Sequence, residues 1–153
     1  MNGTDPSEFI LKILSKWNQE GVQIRKGVES REIDAFETDF RVRLSPTLRH
    51  YLTSVNGMAT GSLDAESFAF WPLSEFNQHS PKNPTASTDA GDCEVKYFCF
   101  CDYLLSGAEF AMGTCARAHS HAVVRLEGVE TPVAETFDRF LELYLSDWEA
   151  LLG

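Results

Sequence analysis

IDAFETDFRVRLSPTLRHYLTSVNG, residues 33–57, carries two helices and the turn that joins them. Ile33, Phe36 and Phe40 recur at helical spacing, so the first helix has one apolar stripe. Leu44, Ser45 and Pro46 make the turn. The Ser45 hydroxyl can cap the second helix, and Pro46 suits the first helical position, where a missing N–H costs nothing. Leu48, Tyr51, Leu52 and Val55 form the second stripe. Asn56-Gly57 is expected to end that helix, because both residues tolerate a left-handed backbone. No residue here is an evident catalyst; the stretch is scaffold.

Upstream, Pro6 to Glu20 reads as a helix, with Asp5 and Glu8 at capping-box spacing, Pro6 in the first turn and Gly21 at the exit. Phe9, Ile10, Ile13, Leu14 and Trp17 give it one core-facing side. Val22 and Ile24 alternate, as in one short extended segment. Downstream of Gly57 the period changes. Ser67 to Trp71 alternates large and small residues like a strand, Pro72 stops pairing, and Leu73 to Phe76 looks like a helical turn. Residues 77–92, NQHSPKNPTASTDAGD, are polar and proline-containing, the composition of a surface loop. Val95 to Tyr103, VKYFCFCDY, is apolar almost throughout, as a central strand would be. Glu109–Gly113 and His121–Leu126 are the next strands, close enough to pair antiparallel. Val133 is read as the approach to a last helix over Ala134–Leu152, striped by Phe137, Phe140, Leu141, Tyr144, Leu145 and Trp148.

These residues, in this order, resemble the SUKH superfamily, the group that includes yeast cell-wall regulators and many bacterial immunity proteins. The resemblance is carried by Glu37, Phe40, Leu44, Pro46, Tyr51, Leu52, Asn56 and Gly57. It continues through Trp71-Pro72-Leu73 with Glu75, the strand end Phe100-Cys101-Asp102-Tyr103-Leu104, and Phe137, Phe140, Tyr144-Leu145 and Asp147. The family pattern has Leu-Pro where this chain has Leu44-Ser45-Pro46, and Ser45 plus Pro46 can start the helix equally well. The resemblance covers most of residues 30–149. It implies a binding module without catalysis, commonly one that blocks a toxin's nuclease or nucleic-acid deaminase domain. Eukaryotic relatives imply the alternative of an intracellular scaffold or signalling adaptor.

The charge pattern agrees with a binding role. The 153 residues carry a net charge of −10. Residues 1–63 hold eight acids and eight bases, whereas residues 64–153 hold fifteen acids and five bases. Such a half can simply solubilise the surface, or it can steer a basic partner. Direct nucleic-acid binding needs clustered Lys and Arg and is excluded as a class. No apolar run reaches the roughly 20 residues of a spanning helix, so no membrane role is expected. The opening MNGTDPSEF lacks the basic and apolar regions of a secretory signal. Four cysteines without a signal fit reduced thiols, and a cytoplasmic location is expected.

Cys99, Cys101, Cys115, His119 and His121 are metal-ligand types, and Cys99-x-Cys101 on a strand would point one way. Their spacing fits no standard zinc pattern, and buried cysteine is commonly a small hydrophobe, so no metal or cofactor is expected. No nucleophile elbow or phosphate-cradling loop is present. A metal- or thiol-dependent enzyme is the least supported alternative.

The expectation is one α+β domain over residues 1–153. Its antiparallel-dominated sheet of about five to six strands is packed by N-terminal helices and a C-terminal helix. The function expected is protein binding to a basic partner, a toxin domain first among the candidates. Monomer and homodimer both stay open. Candidate contact residues combine the acidic half with aromatic anchors: Glu66, Trp71, Glu75, Asp89, Asp92, Glu94, Asp102 and Glu109. Trp71 and Tyr103 also suit the core.

Overall fold

Helix starts follow local chemistry. In the computed structural model, which describes residues 5–79, 94–117, 121–127 and 130–153, α1 spans Pro6–Gln19 and is capped by the Asp5 side chain, which accepts from the Ser7 amide. Helix α2 spans Ser30–Phe40 and α3 spans Pro46–Ser54. Ser45 caps α3 by accepting from the Leu48 amide at 3.2 Å. Glu37 fixes the turn between them. Its buried carboxylate accepts from the Leu44 amide at 2.8 Å and from Arg49 at 3.0 Å. Arg41 takes the left-handed position at the end of α2, with φ 59°.

Strand β1 (Ile24–Lys26) pairs antiparallel with β2 (Val55–Met58) in a two-stranded sheet. The larger sheet is antiparallel and, among the described residues, has six strands: β3 (Phe68–Phe70), β4 (Asn77–His79), β5 (Lys96–Tyr103), β6 (Ala108–Thr114), β7 (Val123–Leu126) and β8 (Glu130–Ala134). Both β3 and β4 pair with β5, one beside each half of it, and Pro72 and a 3-10 turn over Leu73–Glu75 interrupt them. From β5 the sheet runs on through β6 and β7 to β8. Helix α4 spans Phe137–Ser146 and a 3-10 turn covers Trp148–Leu152.

The helices cover one face. There Phe70, Phe100, Phe137, Phe140 and Tyr144 meet ring to ring with Trp17 and Tyr51, all of them buried. A smaller cluster of Val95, Tyr97, Cys99, Ala111 and Val124 is buried separately. Asp64 ties the helices to the sheet. Its carboxylate accepts from the Phe68 and Glu66 amides and from the Tyr144 hydroxyl, and that hydroxyl accepts from Trp17 Nε1 at 2.8 Å.

Four expectations need correction. Asn56-Gly57 does not close α3, which ends at Ser54; the pair lies within β2. Gly57 has φ +73°, and a Cβ there would come within 2.7 Å of the Trp71 carbonyl, so glycine answers a tertiary approach. Residues 77–79 are a strand, because β5 offers them a ladder; the rest of the expected loop lies outside the described residues. The segment before α4 is the edge strand β8, whose Pro132 and short length mask its period. Finally, α4 starts at Phe137 under a Thr136 cap and breaks at Asp147, so it is shorter at both ends than the expected Ala134–Leu152.

Candidate functional site

The loop after β2, the end of β3 and the β5–β6 hairpin border a groove of about 320 Å³. It is lined by Met58 to Leu63 and by Trp71, Pro72, Glu75, Asp102, Leu105 and Ser106. The Trp71 indole, half-buried, donates from Nε1 to Asp102 Oδ2 at 2.8 Å. Asp102 Oδ1 accepts from the Ser106 amide at 3.4 Å. Position 102 faces the groove because of a β-bulge. The β5–β6 register slips between Cys99 and Cys101, which turns Phe100 and Cys101 both to the helix-covered core and sends Asp102 to the other face.

The hairpin tip is built unusually. Leu104, Leu105 and Ser106 have φ of 55°, 52° and 72°, three consecutive left-handed residues, none of them glycine. Each such residue costs roughly 1–2 kcal/mol. Leu104 and Leu105 are 56% and 79% exposed, so the turn gains little burial in return. Strain of this kind gathers where a surface has work to do.

Trp71, Glu75 and Asp102 of the candidate contact residues thus share one groove. Glu109 stands directly across the ladder from Asp102 and neighbours Cys99. Glu94 is exposed but eight residues before Asp102 in the chain, at most roughly 26 Å along an extended segment. Glu66 is drawn elsewhere: Lys16 Nζ lies 2.5 Å from it, 2.6 Å from Glu20 and 3.9 Å from Asp64. Glu20, Asp64 and Glu66 have ligand atoms within 4.8 Å of one another, as metal ligands would, and the Lys16 ammonium is their cation. Asp89 and Asp92 lie outside the described residues, as does His119. Sequence reasoning placed Leu104 in the family segment without a contact role and did not single out Leu105; a Leu-Leu pair between two expected strands was the available signal.

The residues that carried the family resemblance are mostly structural. Phe40, Leu44, Tyr51, Leu52, Phe137 and Phe140 belong to the core, and Pro46 is the first residue of α3. Asn56 Oδ1 accepts from the Leu73 amide at 2.7 Å, which anchors the chain below Trp71.

Cys99 and Cys101 do not make a common site. The bulge places Cys99 and Cys101 in different clusters, against the expectation that they point one way. Burial, with the Glu109 carboxylate, pushes the Cys99 thiol up to about 12, and burial raises Cys101 well above its ordinary value. Neither is a thiolate at neutral pH. Cys115 is disulfide-bonded, so not all four thiols are free as expected.

The family model described as SMI1 / KNR4 family (SUKH-1) matches residues 27–143. No curated protein and no solved structure matches the chain. No helix among the described residues is long and apolar enough to cross a membrane.

Proposed function

The chain belongs to the SMI1 / KNR4 family (SUKH-1), and from that footing we propose a non-catalytic protein-binding module, an immunity protein that neutralises a basic toxin domain such as a nuclease or deaminase. The observation that carries the reading is the groove. An aromatic anchor, Trp71, lines it together with the carboxylates of Asp102 and Glu75 and the exposed Leu105. Aromatic and aliphatic anchors with a charged rim are the chemistry of specific protein contacts. A nucleic-acid-processing domain must be basic to hold its substrate, and the acidic half of this chain complements it.

The test is capture from the native host at low and high salt, with wild-type chain and with Leu105→Asp, followed by mass spectrometry. The captured domain is then made separately and co-expressed with each form. A basic toxin domain whose capture weakens with salt and with Leu105→Asp, and whose toxicity the wild type suppresses, is the expected result. Capture of ordinary cellular machinery at either salt, with no toxin, would replace the immunity reading by the scaffold one.

A further inference from the structure

Asp102 is a carboxylate left only 8% exposed, and among the described residues no cation stands within ion-pair distance of it. Among the described residues its side chain's hydrogen-bond partners are two neutral donors, Trp71 Nε1 and the Ser106 amide. An ionised carboxylate can accept about four hydrogen bonds, and a buried charge held without a counter-charge is costly. Directly across the ladder is Glu109, a second carboxylate, and like charges in that relation repel. Glu75 is the other charged residue of the groove lining, and among the described residues it too has no ion pair. Arg25, which does not line the groove, is committed to the Met58 carbonyl and the Thr60 hydroxyl. Among the described residues the groove is therefore negative and lined by no cation.

We propose that the groove takes one guanidinium side chain, an arginine presented on a loop of the protein partner. Its charge meets Asp102 and Glu75, its plane lies against the Trp71 indole, and an apolar neighbour packs on Leu105. A space of about 320 Å³ holds a single side chain and excludes a folded element. Arginine fits better than lysine because its planar fork pairs with carboxylates and stacks on aromatic faces. The inference rests on the partner-binding reading above and adds what the partner must present.

The probes are N-acetyl-arginine methylamide, its lysine counterpart and its neutral citrulline isostere, titrated into isotope-labelled full-length chain. The readouts are the Trp71 indole N–H and the Ser106 amide resonances. The arginine probe is expected to shift both saturably at millimolar concentrations, the lysine probe more weakly, and the citrulline probe not at all. Asp102→Asn keeps an acceptor for Trp71, which the unliganded indole resonance verifies, and should weaken the arginine probe about tenfold. Glu75→Gln should weaken it less. Equal shifts from citrulline, or none at Trp71 from arginine, would overturn the proposal. Partner capture that depends on Leu105 while the arginine probe does nothing keeps the binding module and removes the arginine. An arginine response with capture indifferent to Leu105 upholds the site and sinks the docking reading.

Discussion

Trp71 Nε1 donates to Asp102 Oδ2 at 2.8 Å, so the aromatic anchor of the groove is held by the same carboxylate that charges it. Binding and stability are coupled through this bond. Asp102→Ala strands a partly buried indole N–H and should cost about 1–3 kcal/mol, whereas Asp102→Asn should cost less because an acceptor remains. Urea unfolding of the three proteins, followed by fluorescence, gives the comparison. Equal losses for Ala and Asn would mean that the bond to Trp71 contributes nothing.

Two glycines with positive φ separate conformational from steric need. Gly57 has φ +73° with the Trp71 carbonyl at 2.7 Å from a would-be Cβ, while Gly61 has φ +87° with nothing within 4 Å. Gly61→Ala should cost only the backbone term, roughly 1–2 kcal/mol. Gly57→Ala adds overlap with fixed backbone and should cost about 3 kcal/mol or more. Thermal melts of both variants decide this, and similar melting points would refute the close approach.

Gly57 also marks the limit of what could be read beforehand. Local rules found the Asp5 and Ser45 caps and the helices they start, because a cap and its amide lie within three residues. The same rules misplaced Asn56-Gly57, since a left-handed glycine looks alike at a helix end and beneath an approaching strand. The bulge at Phe100 left no trace in an apolar run that alternates neither way, and it decides which way Asp102 faces. Trp71, Glu75 and Asp102 were legible as an acidic-aromatic set. Glu66 was not separable from them, because Lys16 lies 50 residues away in sequence. The left-handed hairpin tip was illegible for a related reason: leucine gives no local signal for it.

Tyr51 offers a stabilising change. Its ring is buried in the core, but its hydroxyl has no hydrogen-bond partner among the described residues, and burial drives its ionisation far above the ordinary range. Tyr51→Phe removes an unsatisfied buried polar group and should raise stability by about 1 kcal/mol. Chemical denaturation would read this as a higher midpoint at unchanged slope. A lower midpoint would mean that the hydroxyl is satisfied in solution.

Asp64 gives the stability of the fold a pH dependence. Burial, the largest influence, raises its carboxyl, against the Tyr144 and Phe68 hydrogen bonds and the Lys16 charge, which lower it. A carboxyl raised on folding binds its proton more tightly in the folded chain. Its contribution is therefore full below the unfolded value of about 3.9 and is lost as pH rises through the folded value. The stability difference between wild type and Asp64→Asn should accordingly move against the wild type as pH increases from about 4. Measuring that difference, rather than either curve alone, removes the other acids. A difference that grows in favour of the wild type would reverse the assigned shift.

Leu105 sets stability against binding at one position. It is 79% exposed and held at φ 52°, in a turn whose neighbours Leu104 and Ser106 are left-handed as well. Asparagine adopts this conformation more readily than leucine, and replacing an exposed side chain sacrifices little packing. Leu105→Asn should therefore stabilise the chain by up to about 1 kcal/mol, seen as a higher unfolding midpoint. The same change removes the apolar contact at the groove mouth and should weaken partner capture, chiefly through faster dissociation. A substitution that raises stability while weakening binding is what a surface shaped for a partner at the expense of its own backbone would give. If Leu105→Asn destabilises the chain and leaves capture intact, the hairpin tip serves the fold and the contact surface lies elsewhere.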